Sequence, residues 1–318
     1  MKYVFFDIEC ACVFKHVAKI CAFGYVVADE SFAVLKREEI LLNPKGKFHL
    51  TDRKGKQGLV LPYEYEDFKR YPAFPAVYAQ LKELLEGEQT LVFGHATLND
   101  VNYLNLETKR YKLPSFRFSY HDTQFLYMNC ENAFGRQCGL QTMAEELGVE
   151  FTPHRAVDDA YATMRVCEAL CKREGTSAQG LIEKYAVTAG RISKYRITQP
   201  DSAPRREYER IREENREKRA KAHEEFFRFV NKHMHRRKQG GSLEGKIFCF
   251  AKEIEDDNAV SKKLVEAIFA SGGRYTSHPA ECNVYIGRTQ EGVRCNNAIT
   301  AGAAFVPLDT ITNALEKL

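Results

Sequence analysis

Lys2-Tyr3-Val4-Phe5-Phe6-Asp7-Ile8-Glu9 decides how the rest of the chain is read. It has the composition of a buried β-strand that ends in two carboxylates two positions apart. The period of a strand puts Asp7 and Glu9 on one face and turns Val4, Phe6 and Ile8 into a core on the other. Two like charges at the end of an apolar strand repel each other and are costly to desolvate unless something positive lies between them. A divalent cation is the simplest remedy. The bland alternative is a pair of solvated residues at a strand end, so the decision passes to whether the chain supplies further ligands.

At 318 residues there is length for two domains, and a 44% apolar share rich in Phe and Tyr can build their cores. No apolar run approaches a bilayer span, and Asp7, Glu9 and Lys15 interrupt any secretory pattern at the amino terminus. No membrane association is expected, and the location expected is cytoplasmic, in particular a bacterial cytoplasm. The ten cysteines lack zinc-ribbon spacing and are expected to be free thiols. Charge is uneven: between Pro204 and Gln239 thirteen basic residues stand against seven acidic ones, so this stretch alone outweighs the net +4 of the whole chain.

Outward from the first strand, Ile20 to Val27 and Phe32 to Leu42 are β-branched and aromatic runs that predict a three-stranded antiparallel meander. Asn43 to Gly58 is a polar surface loop with several basic residues. Pro75 opens a helix with Val77, Leu81, Leu84 and Leu85 on one stripe. Leu91-Val92-Phe93-Gly94 is a short buried strand that runs into His95-Ala96-Thr97-Leu98-Asn99-Asp100. Asp100 is thereby placed at a helix start just beyond a strand, where ligands collect in α/β sheets. A strand near Phe118 to His121 and a helix over 140–147 follow. Next, His154-Arg155-Ala156-Val157-Asp158-Asp159-Ala160 leads into a long helix. Its two aspartates lie about 100° apart around the axis, so only one can face a common site.

Carboxylates from the first strand and two helix starts form an oxygen-rich set suited to magnesium or manganese, and such a set can hold two ions about 4 Å apart. His154 lies near enough to take a proton from a water, at a pKa suited to that task. Phosphodiester hydrolysis is the expected reaction.

Phe6-Asp7-Ile8-Glu9, His95-Ala96-Thr97-Leu98-Asn99-Asp100 and His154-Arg155-Ala156-Val157-Asp158-Asp159-Ala160 together resemble the three motifs of the DEDDh exonuclease family. That family includes the proofreading epsilon subunit of DNA polymerase III and the oligoribonuclease and ribonuclease T branches. The resemblance implies a ribonuclease H-like fold, two magnesium or manganese ions and removal of nucleoside monophosphates from a 3′ end. It implies Asp7, Glu9, Asp100 and Asp159 as metal ligands and His154 as general base. Asp159 is preferred to Asp158 because it stands five positions beyond His154. His95 is assigned a structural role. Cys10-Ala11-Cys12 departs from the Thr-Thr-Gly common after the first Glu, which bears on the fit of the terminal nucleotide.

From Pro204 the chain is expected to form a solvated charged helix ending in a flexible joint at Gln239-Gly240-Gly241. Phe226, Phe227, Phe229 and Val230 interrupt its polarity and are candidates to dock on a neighbouring domain. Residues 242–318 predict a small βαββαβα domain. Leu243-Glu244-Gly245-Lys246, Phe248-Cys249-Phe250 and Gly272-Gly273 resemble a BRCT domain, without its usual Trp and without the Ser/Thr-Gly of phosphopeptide binders. The expected α/β architecture is therefore a mixed five-stranded exonuclease sheet with flanking helices over 1–175, a basic helical linker over 176–241 and a BRCT-like domain over 242–318. The BRCT-like part tilts the expected nucleic-acid substrate toward DNA, and a protein or a DNA end is its expected partner. The same chemistry on RNA, and a non-catalytic nuclease-fold scaffold, are the alternatives.

Overall fold

The structure is a computed structural model and describes residues 1–14, 16–46, 63, 65–150 and 155–315. The chain divides into two compact units, Met1–Glu209 and Arg210–Leu318.

The first unit begins with β1 (Lys2–Phe14), β2 (Val17–Ala28) and β3 (Val34–Leu41), the expected antiparallel meander. A short α1 (Tyr65–Phe68) and the longer α2 (Phe74–Leu85) precede β4 (Thr90–Gly94) and α3 (Leu98–Arg110). Next come β5 (Phe118–Asp122), α4 (Thr123–Cys130), α5 (Leu140–Glu146), α6 (Ala156–Glu174) and α7 (Ala178–Lys184). A hairpin of β6 (Gly190–Ser193) and β7 (Arg196–Thr198) completes the sheet. The strand order is β3-β2-β1-β4-β5-β6-β7, with β1, β4 and β5 parallel and the other neighbours antiparallel.

β1 is an interior strand of the sheet and is apolar on both faces because both are covered. Val4, Phe6 and Ile8 pack with Val77, Leu81 and Leu85 of α2 and Val101 and Leu104 of α3. Tyr3 and Phe5 face the opposite way, toward Ala160, Met164, Cys167 and Cys171 of α6. Phe5 stacks on Phe93 with centroids 5.0 Å apart, and Phe6 on Phe23 at 5.6 Å. Each such side chain contributes about 1.5–3 kcal/mol by leaving water. Asp7 and Glu9 continue the row of Tyr3 and Phe5, so they emerge on the α6 side, where the apolar row gives out.

Seven strands stand where five were expected. Arg191-Ile192-Ser193 and Arg196-Ile197-Thr198 are short and charged, and each presents one Ile to the core, Ile192 pairing with Ile197. Their turn, Lys194-Tyr195, carries no Gly or Asn although both residues have positive φ (50° and 59°), so the usual hairpin signal is missing. With this hairpin, and with α7 packed against α6, the first unit extends past the boundary expected at residue 175.

α8 (Ala203–His233) is the charged helix. In the second unit follow β8 (Ile247–Phe250), α9 (Lys252–Glu255), α10 (Asn258–Ala270), β9 (Arg274–Tyr275), β10 (Val284–Gly287), α11 (Val293–Thr300), β11 (Ala304–Pro307) and α12 (Leu308–Leu315). Its four strands are all parallel, in the order β11-β10-β8-β9. Phe226 and Val230 of α8 are buried in the core of this unit with Phe250, Ile254 and Ile268, so the end of the expected linker is part of a folded body. The expected flexible joint is also packed. Lys238 N–H donates to the Phe269 carbonyl at 2.9 Å and Leu243 N–H to that of Ser271 at 2.8 Å. Gly241 is there for close approach, since a Cβ on it would meet the Ser271 carbonyl oxygen at 2.2 Å.

Among the described residues all ten cysteines are free thiols, and no helix is long and apolar enough to cross a membrane.

Candidate metal centre

Asp7, Glu9 and Asp159 each offer a carboxylate oxygen, and these atoms lie within 4.8 Å of one another. Two come from the middle of β1, which runs on past the expected strand end to Phe14, and the third from the first turn of α6, about 150 residues away in sequence. A glycine lets the two elements meet. Gly24 on β2 pairs with Asp7 on one side and with Glu39 on the other. A Cβ on Gly24 would stand 2.0 Å from the Ala156 carbonyl carbon and 2.1 Å from the Val157 nitrogen. The start of α6 therefore rests directly on the sheet beside Asp7.

Glu39 fixes that helix start. Arg155 precedes the helix and supplies no side-chain cap. The carboxylate of Glu39 accepts instead from the Val157 N–H at 3.4 Å, from Arg155 Nε at 3.1 Å and from the Tyr63 hydroxyl at 2.5 Å. Negative charge at a helix amino terminus is favourable. Asp158 turns away from the trio to pair with Arg37, as expected of the aspartate that does not face the site.

Asp100 is buried in the first turn of α3, outside the group of three but close to it. The backbone amide of Ile8 on β1 is near enough to favour its charged form. The loop before it is clamped by Asp122, whose carboxylate accepts from the amides of Ala96 (3.1 Å) and Thr97 (2.9 Å) and also caps α4 through Gln124 (2.9 Å). His95 is spent on this scaffold. Its Nε2 meets the Cys138 carbonyl at 3.2 Å and its Nδ1 the Thr123 hydroxyl at 3.1 Å, and burial lowers its pKa to about 4. His154 lies outside the described residues.

The electrostatics are those of a site short of positive charge. Asp7 is pushed well above the carboxylate range by burial first, then by Asp100, Asp159 and Glu9. Glu9 is pushed up to about 8 by burial, Asp159 and Glu39. Asp100 is raised by burial and by Glu9, against the Ile8 amide that lowers it. Among the described residues no Lys or Arg forms an ion pair with Asp7, Glu9 or Asp100. Carboxylates crowded in this way, all oxygen donors and partly sealed from water, fit a hard divalent cation.

Two side chains near the acids carry no motif of their own. Tyr103 stands three residues beyond Asp100 on α3, and its hydroxyl is pushed up to about 12 by burial and then by Cys10, Asp100, Glu9 and Asp7. Glu39 is the other. Only the register that sets it opposite Gly24 distinguishes it from its neighbour Glu38, which is bound to Tyr25 and Lys36.

The sequence profile of the exonuclease family, of RNase T type, matches residues 4–167. Comparison with curated proteins finds no match. Several solved structures are similar in chain course at low identity. A 3′-exonuclease described for 3′-end-specific recognition of histone mRNA stem-loop is 13% identical over 64% of this chain and 71% of its own, with a TM-score of 0.48. The nuclease domain of 3′hExo, a DEDDh family member bound to rAMP, is 18% identical over 55% of this chain and 92% of its own, at 0.44. Escherichia coli exonuclease I with a dA16 oligonucleotide is 14% identical at 0.44, and the match covers 58% of this chain but only 43% of that enzyme.

Proposed function

This chain belongs to the exonuclease family, and from that premise we propose that it removes nucleoside monophosphates from the 3′ end of a DNA strand. In this reading the first unit is a ribonuclease H-like, DEDDh-type nuclease of the epsilon kind. Asp7, Glu9, Asp100 and Asp159 are the ligands of two magnesium or manganese ions, and His154 is the general base. The observation that carries the reading is the meeting of Asp7, Glu9 and Asp159 oxygens within 4.8 Å from opposite ends of the family match.

The bound ions supply the positive charge that an in-line phosphoryl displacement needs at its attacking and leaving oxygens. The side chains of this protein do the remaining work. Asp7 is set by an interior strand of the sheet, and its charge is opposed by those of the other three carboxylates. Asp100 is buried in the first turn of α3 and brings its carboxylate toward β1. Glu39 and Gly24 set where α6 begins and so aim Asp159. Glu39 also holds Arg155, next in the chain to His154, the general base of this reading, which takes a proton from the attacking water.

The preference for DNA rests on the second unit. Its four parallel strands in βαββαβα order support a BRCT-like module that docks a protein or a DNA end. Arg294, beside the end of β8, is taken up by Glu255 and by the Phe250 and Ser277 carbonyls at 3.1 and 3.0 Å, which speaks against a role in phosphopeptide capture.

Side-by-side digestion of 5′-labelled DNA and RNA strands of one sequence tests the proposal. Shortening from the 3′ end, faster on DNA and lost in Asp7→Ala, is the expected result. Faster cutting of RNA would move the substrate to the exoribonuclease branch. Activity that survives in Asp7→Ala would leave the nuclease fold as a docking scaffold.

A further inference from the structure

Away from the carboxylates, the β5–β6–β7 end of the first sheet carries a second feature. A concavity of about 820 Å³ is lined by Arg117, Arg191, Lys194 and Arg196 together with Ser193, Thr198 and Tyr195. The register explains the clustering. Ser119 pairs with Arg191, Ser193 with Arg196 and Arg191 with Thr198, so these side chains share one face while Phe118, Ile192 and Ile197 fill the other. Arg117 stands two positions before Ser119 and joins the exposed face.

Among the described residues none of the four cations makes an ion pair or a side-chain hydrogen bond. Glu86 approaches, but it accepts the backbone N–H of Arg117 at 2.8 Å and stands 4.0 Å from Lys82. Four uncompensated positive charges around one hollow repel each other, and an anion that fills the hollow relieves that cost. The hairpin tip is also held in an unfavourable shape. Lys194 and Tyr195 have φ of 50° and 59°, a conformation that costs a non-glycine residue on the order of 1 kcal/mol or more. Three bonds enforce it: Ser115 Oγ accepts the Tyr195 N–H at 2.8 Å, Asn105 Nδ2 donates to the Tyr195 carbonyl at 3.1 Å, and the Tyr195 hydroxyl donates to the Leu113 carbonyl at 2.5 Å. The outcome is that Lys194 is projected at the rim.

We propose that this basic hollow binds the sugar–phosphate backbone of a single-stranded polynucleotide at a distance from the end being cut. Pairing of Phe5 with Phe93 and of Phe93 with His121, continued along β5, puts Arg117 and Arg191 on the same sheet face as Asp7 and Glu9. Counting strands and residues, the separation from Asp7 to Arg191 is on the order of 20 Å. A long strand can reach both sites, and a dinucleotide cannot. Ser193 and Thr198 add hydroxyls suited to phosphate oxygens, and contacts to phosphates, which every nucleotide carries, give affinity without sequence preference.

The inference rests on the exonuclease reading, and the test separates the two. The full-length chain and its Arg117→Gln/Arg191→Gln/Arg196→Gln variant are compared by fluorescence anisotropy with labelled dT20 and rU20 in EDTA, over a range of NaCl concentrations. Hydrolysis of a DNA dinucleotide is followed separately with Mg2+ or Mn2+. The variant is expected to bind at least about tenfold more weakly at low salt, with a log–log salt slope shallower by about 2, because three phosphate contacts are lost. Its dinucleotide hydrolysis should match the wild type. Loss in either arm supports the proposal, and the arm that shows it identifies the sugar. Lys194→Glu, a single change at the exposed tip, should weaken binding in the same direction without affecting the melting temperature. Unchanged affinity and slope in both arms would overturn the proposal and leave the hollow to an acidic protein segment. Absence of dinucleotide hydrolysis in the wild type would count against the exonuclease reading instead.

Discussion

Glu39 touches no member of the acidic trio by hydrogen bond, yet it holds the Val157 amide and Arg155 and raises the pKa of Glu9 by its charge. It is a positioning residue. Glu39→Gln keeps the shape and removes the charge, and activity or Mn2+ affinity should fall about 10–100-fold, the scale seen for groups that orient ligands. A fall in melting temperature without a change in Mn2+ affinity would show a structural role alone. Half-buried His95 and buried His121 give the pH dependence at this scale. Burial lowers His95 and His121 to about 4, below the ordinary 6.5. The unfolded chain therefore takes up protons that the folded chain refuses, and the stability these residues contribute is complete above about pH 6.5 and lost as pH falls through about 4. Imidazole NMR shifts should report neutral rings down to that range, and a native midpoint near 6.5 would contradict the burial. Asp7 and Glu9 were legible as candidates because they interrupt one face of an apolar strand, and Asp100 and Asp159 because each stands where a helix begins. Glu39 and Tyr103 were not, since an acid beside another acid on a strand, or a tyrosine on a helix, acquires a role only once register and packing bring it near the others.

The contact between β2 and α6 is the element-scale feature on which the centre depends. Gly24→Ala places a methyl carbon 2.0 Å from the backbone of Ala156, so the helix must lift from the sheet and take Asp159 with it. Overpacking of this kind costs about 1–3 kcal/mol, and nuclease activity should fall by more than the loss of folded protein accounts for. Gly139→Ala, where nothing lies within 4 Å of the added carbon, serves as the control and should be near neutral by thermal melting and by activity. Long elements with a clear period were legible in the sequence: the meander, α2, α6 and the alternation of β1 all lie close to expectation. The β6–β7 hairpin was hidden because two Ile residues and a Lys-Tyr turn give no pattern, although neighbouring strands and three tertiary hydrogen bonds stabilise it. The glycines at 240 and 241 misled in the other direction, since glycine permits close packing as readily as motion.

For the whole molecule, the first unit has its own cores and does not draw on the second for any of the described acids. A chain cut after residue 209 should melt cooperatively and retain metal-dependent cleavage of short oligonucleotides. It should bind long strands less well at moderate salt, because most of the basic 204–239 segment is gone. An unchanged salt dependence of binding after that truncation would remove α8 from substrate binding. The central claim, that carboxylates far apart in sequence gather to hold paired divalent cations, is tested most directly by counting bound Mn2+ by electron paramagnetic resonance in the full-length protein and in Asp7→Asn/Asp159→Asn. Two saturable ions per chain in the wild type and loss of both in the variant is the predicted result. The same stoichiometry and affinity in both proteins would contradict it.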